Sequence, residues 1–168
     1  MGRLRYLVIH CTATPEGREV SSADIRRWHT SPPPKGRGWK QVGYTDMIHL
    51  DGKTERLVEN NEDANVDPWE ITNGATGYNS VSRHVVYVGG LEATTDSKGR
   101  IVAKKDSRGN TIAKDTRTAE QLKTMSAYVK SFHKRFPGVR IIGHNEVAAK
   151  ACPSFNVQEW LRSIGIIQ

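Results

Sequence analysis

Short apolar runs alternate along this chain with segments of helical period, and that alternation points to an α/β fold. Leu4–Thr12 carries Tyr-Leu-Val-Ile, apolar and partly β-branched, and reads as a strand. Ser21-Ser22-Ala23-Asp24 opens a short helix to Thr30, with Ser21 or Ser22 as its cap. Residues 31–38 (SPPPKGRG) cannot hold regular structure, because three prolines and two glycines interrupt them. Val42–Leu50 reads as a strand that turns at Asp51-Gly52 into a returning strand over Lys53–Glu59. Residues 60–80 look irregular, and Ser82–Val88 is a further strand ended by Gly89-Gly90. Between Thr118 and Phe136, Leu122, Met125, Val129 and Phe132 recur at three- and four-residue steps, the period of one buried helical face. Val139–Ile142 is a short strand, and Asn156–Ile164 a last amphipathic helix. The expected architecture is one domain over residues 1–168, a central mixed β-sheet flanked by helices on both faces.

With 168 residues, 36% of them hydrophobic, such a domain builds its core without disulfide staples. No run approaches the roughly 20 apolar residues that span a bilayer, so membrane insertion is not expected. The opening apolar run is about four residues, where a signal peptide needs 7–15. It is therefore read as a buried first strand, and the chain as made in the cytoplasm without an export signal. Cys11 and Cys152 are too sparse for a disulfide framework and read as free thiols.

The net charge of +7 is local: residues 96–135 hold eleven Lys/Arg against four Asp/Glu. Nucleic acid, an anionic membrane or a cell-wall polyanion could each face such a patch. No helix-turn-helix, zinc-finger or aromatic RNA-binding pattern accompanies it, which argues against nucleic acid. Part of the charge lies in a duplication: residues 96–105 (DSKGRIVAKK) are followed at once by 106–115 (DSRGNTIAKD). This basic loop reads either as a solvent hairpin or as an arm that grips a polymer.

His10 ends the first strand, His144 follows the short strand at 139–142, and Cys152 comes eight residues later. Two imidazoles and a thiolate suit a tetrahedral zinc with its fourth position open, the pattern of a catalytic site. Each residue also has a bland reading, as a satisfied strand-end histidine or a small core cysteine, and spacing alone leaves both open. His29, His49, His84 and His133 take the structural reading. Cys11 alternates away from His10 on the strand and should face the core. Glu146 could accept from an imidazole N–H or simply lie on the surface.

Several segments carry a resemblance. Ile9-His10-Cys11-Thr12-Ala13-Thr14, Ile25-Arg26-Arg27-Trp28-His29, Gly38-Trp39, Val42-Gly43-Tyr44, Gly77-Tyr78-Asn79-Ser80 and Val88-Gly89-Gly90 share it with Gly143-His144-Asn145-Glu146 and Lys150-Ala151-Cys152-Pro153-Ser154-Phe155. Together they make the chain similar to the phage lysozyme-type zinc N-acetylmuramoyl-L-alanine amidases, which share a fold with the peptidoglycan recognition proteins. The resemblance implies one Zn2+ per chain on His10, His144 and Cys152, with Tyr44 and Lys150 catalytic and Trp39 and Asn79 in contact with substrate. It implies hydrolysis of the amide between the muramic acid lactoyl group and L-alanine, by a monomer acting on peptidoglycan or muropeptides at the cell wall after phage-type release. The alternative within the same superfamily is a recognition module that binds peptidoglycan without cutting it, a branch in which the cysteine ligand is typically replaced. One departure stands out: relatives often carry a histidine shortly before Gly-Tyr-Asn, and residues 71–76 here read Ile-Thr-Asn-Gly-Ala-Thr.

Overall fold

Leu7, Ile9 and Cys11 point to one side of the first long strand while Val8 and His10 point to the other, and all five are buried. A strand buried on both faces must be covered on both, and the computed structural model, which describes residues 2–168, shows how. The elements run β1 (Gly2–Arg3), β2 (Tyr6–Cys11), β3 (Thr14–Pro15), α1 (Ser22–Thr30), β4 (Asp46–Ile48), β5 (Thr54–Arg56) and β6 (Asn65–Val66). They continue with β7 (Ser82–Tyr87), β8 (Gly90–Leu91), β9 (Ala93–Thr95), β10 (Ile101–Ala103), α2 (Ala119–Arg135), β11 (Arg140–Gly143) and α3 (Val157–Ser163). The central sheet has the order β11-β2-β7-β4-β5. Its first four strands are parallel and β5 returns antiparallel to β4, so the sheet is mixed as expected.

On one face Leu7, Ile9, Val85 and Tyr87 pack with Met125 and Val129 of α2 and Trp160 and Leu161 of α3. On the other, Met47, Val86 and Val88 pack with Ile25 of α1. Ser21 caps α1 in a reciprocal box with Asp24, and Thr118 caps α2 in the same way with Gln121. Among the described residues no helix is long and apolar enough to cross a membrane.

Two expectations need correcting. The strand foreseen over Val42–Leu50 is only Asp46–Ile48, because Val42 and Gly43 spend their backbone groups on Asn73 N–H and on the His29 ring instead of on a ladder. On α2, Leu122 is 39% exposed and Gln121 is fully buried in its place. The Gln121 amide donates to the carbonyls of Ile48 and Val88 where two strands end, satisfying buried acceptors that a leucine would leave unpaired.

The duplicated loop folds as two successive turns. Asp96 Oδ1 accepts the N–H groups of Lys98 and Arg100, and Asp106 Oδ1 accepts those of Arg108 and Asn110. The first turn joins β9 to β10, and a Lys105–Thr111 bridge closes the second. Arg100, Lys104 and Lys114 are each paired with an acid, Asp96, Glu92 and Glu16 respectively.

Candidate metal centre

In the parallel pair β11–β2 the register Gly143↔Ile9 brings both C-terminal ends to one edge of the sheet, the edge where open α/β sheets bind their ligands. His10 is the penultimate residue of β2 and His144 begins a single 3-10 turn after β11, so their ring centroids stand 4.7 Å apart. Cys152 arrives from the loop before α3, where its Sγ accepts the backbone N–H of Cys11 at 3.3 Å. One donor atom from each of His10, His144 and Cys152 lies within 4.8 Å of the other two.

The spacing suits a tetrahedrally held ion of zinc's size. Zinc with Zn–N near 2.05 Å and Zn–S near 2.3 Å in a tetrahedron sets N and S about 3.6 Å apart. His10 Nδ1 and Cys152 Sγ are 3.7 Å apart. Burial, then the nearby His84, His144, Lys150 and His29, holds the His10 imidazole well below its ordinary range. Burial and Lys150 lower His144 in the same direction. Both rings are therefore neutral and free to ligate at neutral pH. The adjacent Cys11 thiol and burial push the Cys152 thiol up, so a thiolate there needs a cation beside it.

These residues form the floor of a cleft of about 440 Å³, whose walls include Tyr44, Lys150, Trp39 and Trp28. The Tyr44 ring sits 5.2 Å from that of His10. Burial, with Cys152 and Cys11 nearby, raises its phenol far above the ordinary range, so the hydroxyl keeps its proton. Trp39 packs against His29 at 4.9 Å, with the Arg37 guanidinium 5.1 Å from its centre.

Asn79 does not line this cleft. Its Oδ1 accepts from Ala75 N at 2.8 Å and meets His84 Nε2 at 3.1 Å. Glu146 is taken up structurally as well: it accepts the Gly143 N–H at 2.7 Å and the Gln158 amide, and no imidazole is among its partners. Cys11 faces the core, 3% exposed, and both cysteines are free thiols.

His84, read from the sequence as an ordinary strand residue, joins the cluster: its Nδ1 is 2.8 Å from His10 Nε2. Nothing local in the sequence marks it. The parallel register of β2 on β7, with Val8 opposite His84, places the two rings on one face.

The family model described as N-acetylmuramoyl-L-alanine amidase matches residues 1–155. The chain is 32% identical over 155 residues to an endolysin of Enterobacteria phage K11, covering 92% of this chain and 83% of that protein. Its fold is similar to that of the N-acetylmuramoyl-L-alanine amidase LysC from Clostridium intestinale, with a TM-score of 0.66 at 16% identity over 99% of this chain and 88% of LysC. Drosophila PGRP-LB shares it with a TM-score of 0.61 at 18% identity, over 97% of this chain and 82% of that one.

Proposed function

Since this chain belongs to the N-acetylmuramoyl-L-alanine amidase family, we propose that it is a zinc-dependent hydrolase of the amide between the muramic acid lactoyl group and L-alanine. One zinc per chain is held by His10, His144 and Cys152. The observation that carries the reading is the convergence of these three donor atoms on the floor of a cleft that Tyr44 and Lys150 also line. A zinc ion bound there supplies Lewis-acid polarisation and makes water a nucleophile near neutral pH.

The chain's own groups supply the rest. Attack on the lactoyl carbonyl builds negative charge on its oxygen, and the Lys150 ammonium at the cleft wall meets that charge. The Tyr44 hydroxyl, which burial keeps protonated, donates a hydrogen bond to the reacting group and relays a proton to the leaving amine of L-alanine, recovering its own from the proton that the attacking water gives up. Trp39 offers an aromatic wall to the glycan or the stem peptide. All of these side chains come from one chain, so a single copy carries the complete set for acting on peptidoglycan or muropeptides of the cell wall.

Digestion of purified peptidoglycan followed by mass spectrometry, beside a zinc assay of the protein, tests the reading. The expected products are stem peptides with new L-alanine amino termini, from protein carrying one zinc. Tight binding to peptidoglycan with no released peptide would mark a recognition module instead.

A further inference from the structure

The direction of each hydrogen bond behind His10 can be read from the chemistry of the partners. A backbone N–H only donates, so the Asn79 atom 2.8 Å from Ala75 N is the amide oxygen. The same oxygen lies 3.1 Å from His84 Nε2, which must therefore carry a hydrogen. The His84 ring is fully buried and has no carboxylate among its hydrogen-bond partners, so it stays neutral with a single N–H. Its Nδ1 is then an acceptor, and its one hydrogen-bond partner among the described residues is His10 Nε2, at 2.8 Å. His10 must donate there. That leaves a bare lone pair on His10 Nδ1, the atom 3.7 Å from Cys152 Sγ.

We propose that His84, itself oriented by Asn79, is a positioning residue that fixes His10 as its Nε2–H tautomer and aims the Nδ1 lone pair at the metal. The inference rests on the reading of His10 as a zinc ligand. Ligand histidines commonly donate their second N–H to a carboxylate, a carbonyl or water, which sets the tautomer and the ring plane. Here a second imidazole does that work from the neighbouring parallel strand. Gly74 keeps the supporting ring in place: a Cβ at that position would come within 2.5 Å of His84 Nδ1, the accepting atom itself. The arrangement also accounts for Asn79, which does not line the cleft and serves the metal centre through two hydrogen bonds in series.

The test compares zinc affinity, by chelator competition, among the wild type, His84→Leu and His84→Asn, with folding of each followed by circular dichroism. Leucine fills similar space without an acceptor, and zinc affinity should fall about 10- to 100-fold. Asparagine can place its Oδ1 where Nδ1 stood, and should recover most of the loss. Long-range ¹H–¹⁵N NMR of the zinc-free wild type gives a readout that needs no variant: His10 should appear as the Nε2–H tautomer. Equal zinc affinity in wild type and a folded His84→Leu, or a His10 ring found as the Nδ1–H tautomer, overturns the proposal. A wild type that binds no zinc refutes the ligand reading instead, and the NMR result still decides the role of His84.

Discussion

The Nδ1 of His29, on α1, accepts the backbone N–H of Gly43 at 2.9 Å and so fixes the residue next to Tyr44. Burial, then the Arg37 charge, lowers the His29 pKa to about 4, below the roughly 6.5 of an unfolded chain. A lowered histidine pKa means that the unfolded state binds the extra proton first. The stability that this neutral ring contributes is therefore complete above about pH 6.5 and is lost as pH falls toward 4, at no more than about 1.4 kcal/mol per pH unit. Urea unfolding of the zinc-free protein at stepped pH should show that loss. His29→Asn, which keeps an acceptor but does not titrate, should show a shallower one. Parallel curves for the two proteins would rule out His29 as a source of the slope.

Removing a ligand should remove the metal. His10→Ala and His144→Ala are each expected to abolish amidase turnover and to lower zinc content sharply. Cys152→Ser should lose both too, since serine is a far poorer zinc ligand at neutral pH than a thiolate. The check is metal analysis of the purified variants, and full occupancy in His144→Ala would exclude this ligand set.

Tyr44→Phe and Lys150→Ala should behave differently, keeping fold and zinc while losing rate. The loss of one group that stabilises the developing oxyanion costs about 10²–10³ in kcat. Steady-state kinetics on a soluble muropeptide, with zinc content measured on the same samples, separates the two classes of variant. Near-normal turnover of zinc-loaded Lys150→Ala would remove it from the mechanism.

The basic loop carries the fourth expectation. Three of its cations are paired with acids, and Lys98, Lys105 and Arg108 make no ion pair among the described residues. Exposed charges of this kind act over about 8 Å at physiological salt. Replacing the three with glutamine should weaken sedimentation with insoluble cell wall and flatten its salt dependence. Turnover of a small soluble muropeptide should stay as it was. Equal losses on both substrates would mean that the loop shapes the cleft.

The strands and capped helices were legible because local chemistry specifies them. Apolar runs such as Tyr6–Ile9 and the boxes Ser21–Asp24 and Thr118–Gln121 need no tertiary knowledge. The metal-ligand trio was legible only through its resemblance to a family, since spacing alone left each residue a structural alternative. His84 and Gln121 were not legible at all. One is defined by a strand register and the other by carbonyls at the ends of distant strands, and neither partner lies within reach of a periodicity window. The shortened β4 has a similar cause, because a histidine on α1 competes for the backbone of Gly43.

His10 stands at the end of β2 and His144 just beyond β11, strands that are neighbours in the sheet and yet separated by nearly the whole sequence. A chain still emerging from the ribosome thus holds one half of the centre long before the other half exists. The three donors that could hold a metal come together only after the last strand has docked beside the first long one and the turn carrying Cys152 has followed. Fragments released early, or cut anywhere between the two strands without staying associated, lack a complete set of these donors. The topology of the sheet thus ties completion of the centre to completion of nearly the whole chain.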